Sequence, residues 1–249
     1  MANSKIKAVL FDLGDTLLNY GKIDPHEPFF KAASQTWHWL KGQGQAAGFQ
    51  WLYTLRSLIA IHLRIVWSHF TGRDFDSLLV LKNLGKRMGH QLTDKQYEDL
   101  VWLWYEPLAK MVTVEHDIQQ TLMTLRSRDL KLGIVSNTFV SASVLNKHLT
   151  QLGLLKFFDF IYYSYTFNKR KPHPEMFLAA AKQLNLQPNE IIFVGDRIDN
   201  DINGSLRVGM IPVLKKTHIN IHKKVPPGVT IISSISELPE VIEKFNITT

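Results

Sequence analysis

The chain reads as an α/β protein: a doubly wound, mainly parallel sheet interrupted by an all-helical insertion. Three observations predict this. Short β-branched or aromatic runs recur and stop at Asp, Gly, Ser or Asn. From about residue 112 onward they alternate with helix-period segments, the pattern of a parallel sheet wrapped by helices. Residues 20 to about 110 break that alternation: they offer no convincing strand and hold all six tryptophans, Trp37, Trp39, Trp51, Trp67, Trp102 and Trp104.

The first predicted strand is Ile6–Phe11 (IKAVLF). It is near-continuously apolar, as a strand covered on both faces should be. The insertion reads as four helices, with Gly42–Gly48 (GQGQAAG) separating one helical segment from the next. Thr93 followed by Gln96 is a capping-box start for a helix running to about Glu106. Ile118, Leu122 and Leu125 then form one helical face, and Val140, Val144 and Leu145 another, on either side of a strand at Leu130–Ser136. A strand at Phe158–Tyr163 precedes a helix that Pro174 and Glu175 open, with Met176, Phe177, Ala180, Ala181 and Leu184 on one face. Strands at Ile191–Val194, Met210–Leu214 and Thr230–Ile232 complete the set. The expected division is a core of 1–19 plus 109–249 and a helical domain of 20–108.

At 249 residues a sizeable core is within reach, and 45% apolar with 20% charged residues is an ordinary globular mixture that excludes a disordered chain. The absence of cysteine excludes disulfides, thiolate metal sites and a Cys nucleophile, and fits a cytoplasmic location. MANSK runs straight into the first strand, so no targeting segment is expected. The greasiest stretch, Trp51–Trp67, carries Arg56, His62 and Arg64 and is not a membrane span. Its Leu52–Val66 part could form a homodimer contact. The net charge of +7 favours anionic ligands. The run from Lys215-Lys216 to Lys223-Lys224 reads as a solvated face, and no nucleic-acid-binding signature accompanies it.

Four polar signals fall at or after predicted strand ends, where ligands bind in open α/β sheets. They are Asp12-Leu13-Gly14-Asp15-Thr16, Ser136-Asn137, Lys171-Pro172, and Gly195-Asp196 continuing to Asp199 and Asp201. An aspartate can attack phosphorus, a serine hydroxyl and nearby backbone amides can hold phosphate oxygens, and a lysine supplies a point positive charge. Asp12, Asp196 and Asp201 together make an all-oxygen donor set suited to Mg²⁺.

In this order, with 124, 35 and 25 residues between Asp12, Ser136, Lys171 and Asp196, the set resembles the motifs of the haloacid dehalogenase superfamily, in its members with a helical cap. The resemblance covers nearly the whole chain. It implies a Rossmann-like core and a Mg²⁺-dependent phosphatase acting on a small phosphorylated substrate. Asp12 would be the nucleophile and a metal ligand, Ser136 and the Asn137 amide would bind phosphate, and Lys171 would bridge nucleophile and phosphate. Asp196 and Asp201 would hold the metal, with Asp199 solvated or supporting them. Residues 20–108 would be the cap.

One departure stands out. Family phosphatases carry a second Asp two residues after the nucleophile as general acid and base; here that position is Gly14, and an Asp follows at 15. The Gly14 carbonyl could still meet the metal; Asp15 is expected to point elsewhere after a tight turn and, with Thr16, to bond within that turn, its substitution for the acid being the lesser alternative. The departure leaves three alternatives on the same site: a slow phosphatase, a phosphonatase- or dehalogenase-like hydrolase, and a phosphate- or partner-binding pseudoenzyme. A phosphonatase would need a cap lysine, and nothing singles out Lys22, Lys31 or Lys41.

Overall fold

The structure is a computed structural model and describes residues 5–22, 24 and 26–247. Met1–Ser4, most of the segment in which a targeting signal was sought, lie outside the described residues. Fifteen helices and strands follow in chain order among them: β1 (Ala8–Phe11), α1 (His26–Gly42), α2 (Gln50–Thr71), α3 (Ser77–Arg87), α4 (Asp94–Ala109), α5 (Ile118–Ser127), β2 (Lys131–Ser136), α6 (Ala142–Gln151), β3 (Phe160–Tyr163), α7 (Pro174–Leu184), β4 (Ile191–Gly195), α8 (Asn203–Val208), β5 (Ile211–Lys215), β6 (Thr230–Ile232) and α9 (Leu238–Ile247).

The six strands form one sheet in the order β3-β2-β1-β4-β5-β6, every pair parallel. The sheet grows outward in both directions from β1, so β1 and its neighbour β4 flank the point where the winding reverses. Register matters here: Phe11 is level with Ile134 of β2 and with Val194 of β4, so the residues after these three strands emerge together at one edge. β1 is buried along its whole length. One side of the sheet packs Ala8, Leu10, Val135, Ile191 and Phe193 against Phe177 and Ala180 of α7, all fully buried. Burying each large side chain is worth about 1.5–3 kcal/mol.

Two compact units result. One comprises the described residues among 1–21, 113–137 and 152–249; the other comprises those among 22–112 and 138–151. α6 thus joins the helical unit, although it follows β2 as a crossover helix would. Val140 lies before α6 rather than on its face, a correction to the expected helix: Val140 N–H donates to Thr138 Oγ1 at 3.0 Å, and the helix begins at Ala142. The chain leaves the sheet unit at Asn19 and returns at Thr113. These two residues exchange both backbone hydrogen bonds, at 2.8 and 3.0 Å, as an isolated antiparallel pair.

In the helical unit, Thr93 and Gln96 form the capping box at the start of α4, worth about 1 kcal/mol. That helix runs on through Pro107 to Ala109. Gly72 closes α2 in the left-handed region (φ 66°). The Tyr105 hydroxyl meets His148 Nδ1 at 3.1 Å and so joins α4 to α6. Tyr53, Tyr97, Leu40 and Leu100 centre an apolar cluster, with Trp37, Trp39 and Trp104 packed on it. A cavity of about 280 Å³ inside this unit has Phe29, Leu81, Val101, Trp104 and Phe139 among its walls, and no carboxylate or ammonium. No helix among the described residues is long and apolar enough to cross a membrane.

Candidate active site

Every sequence-predicted site residue lies in the sheet unit, at the carboxyl edge of the strands. Asp12 is the first residue past β1, and its amide donates to Val194 O of β4 at 2.8 Å. The chain then turns sharply. Asp15 adopts φ 53°, a left-handed conformation that Asp tolerates better than most residues. Its amide donates to Leu18 O at 2.7 Å, and its Oδ1 accepts the Tyr20 N–H at 2.9 Å, so this oxygen braces the turn. Gly14 precedes it outside the left-handed region, and a Cβ there would meet nothing closer than a Tyr20 ring carbon at 3.7 Å. The position has room for a side chain and carries none.

Ser136 ends β2, buried, level with Tyr163 of β3. Asn137 follows, and its side chain clamps the Lys171 backbone twice: Nδ2 donates to Lys171 O and Oδ1 accepts Lys171 N–H, both at 2.8 Å. The clamp aims the Lys171 side chain inward, where it is 1% exposed. Its ammonium donates to Asp12 Oδ1 at 2.7 Å and to Val135 O at 2.8 Å, and lies 2.7 Å from Asp201 Oδ1 as an ion pair.

Gly195 ends β4 and Asp196 follows. A single π-helical turn, Ile198–Ile202, brings the chain back so that Asp201 Oδ2 accepts the Arg197 N–H at 2.9 Å. A Cβ on Gly195 would fall 2.4 Å from Asp201 Cβ, so only glycine lets Asp201 stand against the strand end. Asp199 sits apart, exposed, in a two-point pair with Arg197.

Asp12, Asp196 and Asp201, all buried, each place a carboxylate oxygen within 4.8 Å of the others. Thr16 Oγ1 reaches Asp196 Oδ1 at 3.4 Å, while Asp196 Oδ2 is buried with no hydrogen-bond partner. A buried, unpartnered carboxylate oxygen is costly unless a cation meets it. The residues therefore fit a hard divalent ion held by oxygens. Protonation follows the same logic. Burial, then the charges of Asp12 and Asp201, push Asp196 up to about 8. Burial pushes Asp201 up to about 6, with Lys171 pulling against it. Burial pulls Lys171 down, but Asp12 and Asp201 outweigh it and leave the ammonium raised.

Three supporting residues were not foreseen. Lys215 is a correction: the sequence reads it as part of a solvated run, yet it is 6% exposed. Its Nζ donates to Thr16 O at 2.8 Å and pairs with Glu115 at 2.8 Å, so it braces the turn after Asp12. Asn220 Nδ2 donates to Asp196 O and Lys215 O, both at 2.8 Å. The signal for Lys215 was available: it is the last residue of an apolar strand, as Ser136 is of β2.

The chain is similar to known proteins. The family profile described as haloacid dehalogenase-like hydrolase matches residues 77–238, a span that holds Ser136, Lys171, Asp196 and Asp201. A glyceraldehyde 3-phosphate phosphatase of Methanopyrus kandleri is 30% identical over 84% of this chain and 83% of its own length. A pyrophosphatase, PpaX, of Bacillus pumilus is 28% identical over 82% and 81%. A solved phosphatase structure from Thermococcus onnurineus superposes with a TM-score of 0.60 at 26% identity, covering 95% of this chain and 98% of that one.

Proposed function

From the premise that the chain belongs to the haloacid dehalogenase-like hydrolases, and is a phosphatase among them, we propose that it hydrolyses a small phosphomonoester with Mg²⁺ through an aspartyl-phosphate on Asp12. The observation that carries this reading is the convergence of Asp12, Asp196 and Asp201 with Lys171 in their midst. Asp12, Asp196 and Asp201, with the Gly14 carbonyl, would hold the ion. When bound, it supplies positive charge that offsets the repulsion between an anionic nucleophile and an anionic substrate.

The chain's own groups do the rest. One Asp12 oxygen attacks phosphorus while the bond to the leaving oxygen breaks, and water later cleaves the acyl phosphate. The Lys171 ammonium, locked on Asp12 Oδ1, orients that carboxylate and neutralises charge building on the phosphoryl oxygens. The Ser136 hydroxyl and the Asn137 amide bind those oxygens. Gly14 offers no carboxyl to protonate the leaving oxygen, so turnover is fastest for leaving groups that need no proton. The names of the relatives make glyceraldehyde 3-phosphate and pyrophosphate the first natural substrates to try.

The test is p-nitrophenyl phosphate hydrolysis with Mg²⁺ and with EDTA, beside Asp12→Asn. Metal-dependent turnover that the variant loses is expected; equal rates in the two proteins would remove Asp12 as nucleophile. Acid quenching during turnover should trap a phosphorylated chain that hydroxylamine releases. Gly14 also favours a second reading, cleavage of a carbon–phosphorus or carbon–halogen bond on the same site. Borohydride trapping with phosphonoacetaldehyde and halide release from 2-haloacids would reveal these.

A further inference from the structure

We propose that the outward face of α2 is a self-association surface, on which a second copy of this chain packs antiparallel about a two-fold axis at Ile59. α2 is 22 residues long, about 33 Å. Only Tyr53, Ser57 and Ser68 on it are buried. The opposite face is apolar from end to end: Leu55, Ile59, Leu63, Val66 and Phe70 follow one another at spacings of four and three, continuing the line of half-buried Leu52. That is the seam of a helix pair. Trp51 and Trp67 flank it, 65% and 66% exposed, and Phe70 is 85% exposed.

The order along the seam identifies the occupant. A two-fold interface must be self-complementary: if one residue meets another, the second must meet the first. Read outward from Ile59, the seam is nearly the same in both directions. In an antiparallel pair centred there, Ile59 meets its own copy, Leu55 comes level with Leu63, Leu52 with Val66 and Trp51 with Trp67, while Phe70 comes level with Gly48, which has no side chain to obstruct it.

The basic side chains of α2 do not set arginine against arginine in this register. α2 carries no acidic residue. The two arginines avoid each other, because Arg56 comes level with His62 and Arg64 with Thr54. Trp51, Trp67 and Phe70, 65–85% exposed and worth about 150–250 Å² each when fully covered, together with Leu55, Ile59, Leu63 and Val66 offer an apolar face on the scale of the roughly 800 Å² per partner of a standard stable interface.

The measurement is sedimentation equilibrium of the full chain over a dilution series. Twice the 28.6 kDa chain mass is expected. Ile59→Glu and Ile59→Lys should each halve it, because like charges then face each other at the axis. Mixing the two variants should restore the doubled mass. Circular dichroism melts identify any variant that has failed to fold. A second variant uses the absence of cysteine: on a denaturing, non-reducing gel Ile59→Cys, with its single thiol, should run as a disulfide-linked pair, while Lys95→Cys on α4 should run at the chain mass. A wild-type chain at single mass throughout would overturn the proposal, whether or not it binds anionic vesicles. So would a doubled mass that survives Ile59→Glu.

Discussion

The sheet unit and the helical unit solve opposite problems. The first gathers like charges in a dry place: three carboxylates around one ammonium, held by strand ends, a two-point clamp from Asn137 and the brace of Lys215. The second gathers aromatic surface, part of it around the Tyr53–Tyr97 cluster and part of it turned outward along α2. Buried charge demands named partners at short distances, so each residue in the first unit has an assignable task. Apolar packing tolerates exchange of one residue for another of similar volume, so the second unit shows its purpose through pattern rather than through any single side chain.

That contrast can be broken experimentally, first at its charged end. Asp12→Asn is expected to lower kcat about 10⁴-fold or more, the scale of removing a nucleophile, in the p-nitrophenyl phosphate assay. Gly14→Asp fills space that is already open and should raise kcat by about 10²–10⁴, with the largest gain on alkyl phosphates, whose leaving group needs a proton. An unchanged rate would show that proton supply does not limit this protein. Gly195→Ala drives a methyl into Asp201; calorimetric titration should show Mg²⁺ affinity falling about 10–100-fold, with about 1–3 kcal/mol lost in stability.

Acid sharpens the comparison, because the two units should answer pH in opposite senses. Asp196 and Asp201 hold raised values in the metal-free protein. Their protonation stabilises the fold fully below the ordinary value of 3.8, and this stability is lost as pH rises through about 6 and then about 8. In EDTA the sheet unit should therefore exchange its amides more slowly as pH falls from 8 toward 5, after correction for intrinsic rates. Saturating Mg²⁺, which needs the ionised carboxylates, should remove the trend. In the helical unit burial lowers His90 and His148 from 6.5. Their stabilisation is present above 6.5 and is lost as pH falls through the lowered values, so the helical unit should loosen in acid. The smallest effect is Tyr105→Phe, which removes the hydroxyl that meets His148 and should cost about 1 kcal/mol in urea melts.

The strands were legible because each is a short apolar run cut off by the polar residue that does the chemistry. Thr230–Ile232 has the expected bounds, Met210–Leu214 is shifted by one residue at both ends, and the others differ by one or two residues at one end. Thr93 and Gln96 announced α4 through local hydrogen bonding alone. The aspartates and Lys171 could be picked out because strand ends collect at one edge of the sheet. The same strand-end rule points to Lys215, but not to Glu115 or Asn220, because Lys215 and Glu115 are a hundred residues apart and no local period links them. The place of α6 was equally hidden: its apolar face, Val144, Leu145 and Leu149, would suit a sheet as well as another helix. Asp15 shows the finest limit. A tight turn that Asp15 braces was expected from the sequence, but its left-handed backbone and its choice of the Tyr20 amide were not.

The paired backbone bonds between Asn19 and Thr113 have a consequence for how such a chain can change. A hydrogen-bonded antiparallel pair holds its Cα atoms about 5.5 Å apart, so residues 20–112 enter and leave through a doorway no wider than the base of a tight hairpin. An Asn-Gly turn could bridge that gap, and so could a wholly different insert. Gene rearrangement can therefore swap what lies beyond the threshold while leaving the catalytic aspartate in place.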